Sequence, residues 1–111
     1  MNMKRIDLPF DIFKNEEIFH DAFAGIMGFP DFYGSNWNAW IDCMSYIDDH
    51  EARMSKVHVA PGEQIEFVIS GYKFSSELDE SDVFHNFCIC SGLANTRFRE
   101  SESDTRIIVS N

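Results

Sequence analysis

His85 and Cys88 stand three positions apart on a stretch that reads as helix, so their side chains can meet on one face. A thiol beside an imidazole is the minimum kit for a nucleophile and its base. The plain alternative is inert packing beside a core stripe, the usual state of a helical cysteine. A second candidate is Asp42, a carboxylate on a helix next to a loop bearing Phe32 and Tyr33. Aromatic anchors supply buried contact area and a carboxylate supplies a directed, charge-assisted contact. That combination suits recognition of a cationic partner rather than bond-breaking. The alternative there is a surface helix with stray apolar residues, which need no explanation.

Other chemistry is hard to assemble. The chain has no GxSxG, P-loop, GxGxxG, HExxH or EF-hand pattern. The remaining histidines, His20, His50 and His58, are scattered, and His20 falls at the edge of a predicted helix, where a surface or boundary position is expected. Cys43, Cys88 and Cys90 form no CxxC pair and have no His/Cys ligand spacing, so no zinc site or other metal centre is expected, nor any cofactor. Three cysteines, an odd number, fit buried free thiols in a reducing compartment.

These residues must be positioned by a small scaffold. A chain of 111 residues predicts a single domain, 1–111. With 44% hydrophobic residues and 11 Phe it can fill a core without staples. The net charge is −10, from 19 acidic against 9 basic residues, which makes nucleic acid and anionic membrane poor partners and a basic protein a good one. The N-terminal residues lack the apolar region of a signal peptide, and no apolar run approaches a membrane span. A cytoplasmic protein is expected.

Along the chain, Met3 to Leu8 reads as a short strand ending at Pro9. Asn15 caps a helix to about Met27, with Ile18, Phe19, Ala22, Phe23, Ile26 and Met27 on one stripe, and Gly28 ends it. Pro30 then makes a turn, Gly34 offers a joint able to take φ > 0, and Ser35 or Asn36 caps a second helix over Trp37 to Asp48. On that helix Trp40, Cys43, Met44 and Ile47 form a core stripe with Trp37 at its edge. Asn38, Asp42 and Ser45 lie opposite, flanked by Ile41 and Tyr46. The acids at 48–51 oppose the helix dipole and are assigned to the charge field of a binding face.

Val57 to Val59 reads as a minor edge strand and Ile65 to Ile69 as a buried strand closed by Gly71. Asp79 or Ser81 caps a third main helix to about Phe98, with Val83, Phe84, Phe87, Cys90, Leu93 and Ala94 toward the core. Ile107 to Val109 is the last strand. Helices separating strands require crossover connections, so the fold class is α/β with a parallel sheet of three strands and three to four helices packed on it.

Residues 29–43, Phe-Pro-Asp-Phe-Tyr-Gly-Ser-Asn-Trp-Asn-Ala-Trp-Ile-Asp-Cys, resemble the barstar family without a gap. The order of elements and the strand Arg106 to Ser110 agree with it too. The resemblance implies a small three-stranded parallel sheet. It implies an intracellular inhibitor whose turn and second helix plug the active site of a ribonuclease such as barnase, the acid at Asp42 standing in for a substrate phosphate. Carried over by position, the partner-binding residues are Phe32, Tyr33, Gly34, Asn36, Trp37, Asn38, Ile41, Asp42, Ser45 and Tyr46.

The chain departs from the family pattern at several of these. Asn38 stands where the family has a second acid, Phe32 replaces a Tyr, Ile41 replaces a Trp, and the stretch 48–64 is longer than in compact members. A changed contact set points to an immunity protein against a basic ribonuclease or other nuclease-type toxin different from barnase. The competing readings are a small enzyme using His85 and Cys88, or a regulator of a protein unrelated to nucleases.

Overall fold

The structure is a computed structural model that describes residues 3–70 and 81–110. Three strands, β1 (Met3–Pro9), β2 (Gln64–Ser70) and β3 (Arg106–Ser110), form one sheet in the order β1-β2-β3, with β2 central and parallel to both neighbours. Ile6 pairs with Phe67, and Phe67 with Val109. The two parallel crossovers carry the helices: α1 (Glu16–Met27) and α2 (Trp37–Met44) lie between β1 and β2, and α3 (Asp82–Glu100) lies between β2 and β3. The expected α/β architecture is present. Candidates at Gly71 and Asp79 lie outside the described residues.

Each helix starts on a polar cap, as the sequence allows. The side chains of Asn15, Asn36 and Ser81 accept from the N–H groups of Ile18, Ala39 and Phe84, satisfying donors that a helix N-terminus leaves free. Gly28 closes α1 in the left-handed region, φ 69°, where a side chain is disfavoured. Gly34 does not play that part. Its φ is not positive, and Ser35 takes the left-handed conformation at φ 53°.

The core lies between the helices and one face of the sheet. Trp40, Phe19, Phe23, Phe67, Phe87 and Phe98 are its largest buried side chains. Phe23 touches the sheet through Phe67, with ring centroids 5.2 Å apart, and Trp40 stands 5.5 Å from Phe23 and 5.7 Å from Phe87. In β2, Ile65, Phe67 and Ile69 are buried while Glu66 and Val68 are half-buried. The strand therefore alternates, because the described helices cover the face that its odd-numbered residues share with Ile6, Leu8 and Ile107.

Several expectations need correction. The second helix ends at Met44 rather than Asp48: Tyr46 and Ile47 N–H groups bond three residues back, to Cys43 and Met44, which tightens the chain out of the α geometry. Val57 to Val59 forms no strand, and among the described residues the sheet has no strand beyond β1. Leu93 is 49% exposed, not core, because α3 turns Cys90, Ala94 and Phe98 inward and leaves Ile89 and Leu93 on the opposite side. Cys88 is exposed while Cys43 and Cys90 are buried free thiols.

Asp48, assigned to a charge field, is structural. Its Oδ2 accepts from Ser103 Oγ at 2.8 Å and Thr105 Oγ1 at 3.0 Å, and the buried Thr105 hydroxyl in turn accepts from Gly62 N–H. One carboxylate thus fastens the segment after α2 to the chain entering β3.

Candidate partner-binding site

The turn before α2 is locked from beneath. Tyr33 N–H closes a turn onto the Pro30 carbonyl at 2.9 Å. The Tyr33 hydroxyl and His20 Nδ1 share a hydrogen bond of 2.5 Å, and Tyr33 packs on Phe29 with centroids 4.8 Å apart. His20 is fully buried rather than at a boundary. Burial lowers its pKa against the opposing pull of Glu16 and Asp21, and burial likewise raises that of Tyr33, so both groups are held neutral. Asn36 then caps α2 through Oδ1 while its Nδ2 donates to the Gly34 carbonyl. A Cβ at Gly34 would fall 3.0 Å from Asn36 Nδ2, so glycine serves close approach to the cap rather than an unusual φ.

On α2 the predicted residues separate into layers. Asn38 and Asp42, one helical turn apart, are exposed and lie on one face. Tyr46 is 46% exposed just beyond the helix and Phe32 is 75% exposed on the turn. Gly34 and Asn36 are exposed between them in sequence, though both serve the cap. Trp37 is half-buried. Its ring lies 4.8 Å from Phe19, and its Nε1 donates to Glu16 Oε1 at 2.9 Å, so it braces α2 against α1. Ser45 is half-buried and spends its hydroxyl proton on the Ile41 carbonyl at 2.6 Å.

Ile41 is corrected most clearly. It is 7% exposed and part of the core, so it lies under the face instead of flanking it. Among the described residues around this face, Phe32 and Tyr46 are the exposed aromatic groups.

Asp42 is not a lone carboxylate. Arg97 on α3 reaches across the α2–α3 contact and places Nη1 2.6 Å from Asp42 Oδ1. The two side chains remain 54% and 49% exposed, so the pair sits in water and is easily opened. Beneath it, Cys43 is buried, and burial together with the Asp42 charge pushes its thiol up to about 11, keeping it an unreactive SH.

The alternative kit does not assemble. His85 and Cys88 are both exposed on α3, no hydrogen bond joins them, and desolvation raises the Cys88 thiol, the wrong direction for a nucleophile. Among the described residues no cluster of three or more potential ligands could hold a metal. No described helix is long and apolar enough to cross a membrane.

Arg97 was not legible as a site residue. It lies 55 positions from Asp42, and only the packing of α3 on α2 brings them together. The comparison with protein families bears on the rest of the surface: the model of the family Barstar (barnase inhibitor) matches residues 3–110.

The chain belongs to the barstar family.

A search of curated proteins found no match. The match spans essentially the whole chain, so the sheet, the capped α2 and the turn before it are the barstar-family scaffold and not a local likeness. Members of this family are inhibitors rather than enzymes, and a nuclease of the barnase kind is the general class of partner.

Proposed function

We propose that this chain is a cytoplasmic immunity protein that inhibits a basic ribonuclease-type toxin by stoichiometric binding through the turn at 29–36 and the exposed face of α2. The carrying observation is the exposed Asp42 on a helix fixed at both levels, by the Asn36 cap and by the Trp37–Glu16 brace. A carboxylate already held in place loses little freedom when it enters a cationic cleft, and preorganisation of this kind favours tight binding. Phe32, Asn38 and Tyr46 supply the exposed contact area around it, with Tyr33 behind the turn. The acidic balance of the chain steers it toward a basic partner and away from nucleic acid or anionic membrane.

A toxin different from barnase suits the face better. Asn38 lacks a charge, Ile41 is buried, and Arg97 adds a cation beside the key acid. The test is a binding titration against basic ribonuclease domains, barnase among them. A one-to-one complex that suppresses RNA cleavage supports the reading, and Asp42→Ala should weaken it by at least ~2 kcal/mol, the level that defines an interface hot spot. Unchanged affinity of that variant removes Asp42 from the interface. Absence of any complex with a basic nuclease defeats the reading itself.

A further inference from the structure

The cavity beside the Gly28–Asp31 turn opposes the charge of the rest of the chain. It is an open hollow of about 540 Å³, in the range of small-ligand pockets. Arg53, Lys56, His50 and His58 line it, against Asp31 as its acid. A chain of net charge −10 has thus brought two of its 9 basic residues and two of its 4 histidines to one hollow.

The walls are fixed by the backbone. Lys56 and Val57 N–H groups both bond the Met27 carbonyl, at 2.9 and 3.1 Å, and Val59 N–H bonds the Ile47 carbonyl at 3.0 Å. Arg53 closes a short 3-10 turn, His50–Ala52, in the left-handed region at φ 56°. The Lys56 stem lies against Gly28, where a Cβ would fall 2.6 Å from Lys56 Cβ. The two cations have donor capacity unspent within the protein. Among the described residues the ion pairs are Arg5–Asp7 and Arg97–Asp42, so neither Arg53 nor Lys56 has a carboxylate partner. His50 and His58 add two imidazole rings to the same lining, their centroids 6.1 Å apart.

We propose that this cavity binds a phosphate group. Two full cations and imidazole nitrogens around one hollow suit a dianion with several acceptor oxygens. Free phosphate and the phosphate of a small monoester share that chemistry, and the volume leaves room for more than the phosphate itself. The proposal does not rest on the inhibitor reading, although Pro30 and Asp31 in the wall lead directly to Phe32 and Tyr33, so an occupied cavity would stiffen the partner-binding turn.

Calorimetric titration of the full chain with inorganic phosphate and with adenosine 5′-monophosphate, at constant ionic strength, tests it. Saturable one-site binding is expected for at least one of them. Arg53→Asn and Lys56→Met should each weaken it by about tenfold, as loss of a charge-assisted contact does. Asn tolerates the left-handed backbone and Met keeps the stem on Gly28, so both variants should match the parent in circular dichroism and melting. Arg99→Ala, away from the cavity lining, is the control for general charge. Tighter binding of the nucleotide identifies a monoester site, and equal binding identifies a site for phosphate alone. Lack of saturation by both ligands at millimolar concentration, or binding unaffected by Arg53→Asn and Lys56→Met, overturns the proposal.

Discussion

Arg97 Nη1 stands 2.6 Å from Asp42 Oδ1, so the acid proposed to meet the partner is already paired within the protein. Both groups are about half exposed, and an ion pair in water contributes at most ~1 kcal/mol. Arg97→Ala should therefore change unfolding free energy by less than ~1 kcal/mol in urea titrations. Its effect on association should be larger at low salt. If the proposed face meets a basic nuclease, removing this cation raises the attraction, and the gain should vanish as screening shortens the Debye length from about 10 Å at 0.1 M salt toward about 3 Å at 1 M. Stopped-flow rates at two salt concentrations measure this. A slower association for Arg97→Ala at low salt would instead make Arg97 a contact of its own.

The buried His20 makes the turn sensitive to acid. Its folded pKa is lowered, chiefly by burial, so the unfolded chain binds the proton more readily. The stability this contributes is complete above the unfolded value of 6.5 and is lost as pH falls below it. The imidazolium also carries protons on both ring nitrogens, one at the Tyr33 hydroxyl and one at Nε2, which has no partner in the described residues. The urea midpoint should fall between pH 7 and pH 5, with this part of the fall absent in His20→Gln. Identical pH profiles for the two proteins would show that His20 is not titrating in that window.

How much of this could be read in the sequence differs by element. The capped helices were legible, because Asn15, Asn36 and Ser81 act within three residues of themselves. The exposed face at Asn38 and Asp42 was legible from helical period. Ile41 was not, since tertiary packing widens the buried stripe beyond what the helical period of α2 alone indicates. The end of α2 was missed because Tyr46 and Ile47 keep the apolar pattern after the hydrogen bonding has changed. Arg97, the Asp48 clasp and the cationic cavity each join segments far apart in the chain, and local pattern carries no trace of such meetings.

Asp48 supplies the clearest separation of stability from binding. Its carboxylate accepts from two hydroxyls, one of them the fully buried Thr105. Hydrogen bonds to a charged group contribute about 1.5–3 kcal/mol. Asp48→Ala should cost an amount in that range by chemical denaturation, and Asp48→Asn, which keeps one acceptor oxygen, should cost less. If the acids after α2 instead served mainly as a charge field, both variants would unfold like the parent and slow association alike.

Phe32 and Trp40 bracket the two duties of the same short stretch. Trp40 is fully buried at the meeting of α1, α2 and α3, with Phe23 and Phe87 against its ring. Trp40→Ala leaves a cavity in an aromatic cluster and should cost about 3–5 kcal/mol of stability. Phe32 is 75% exposed and absent from the core, so Phe32→Ala should leave stability within about 0.5 kcal/mol. An exposed aromatic ring on a locked turn has its contact area to give to a partner, and truncating it should cost more than ~1 kcal/mol of nuclease binding. Calorimetry for folding and a competition titration for binding separate the two effects. Equal nuclease affinity for parent and Phe32→Ala would place the interface on α2 alone and leave the turn as its support.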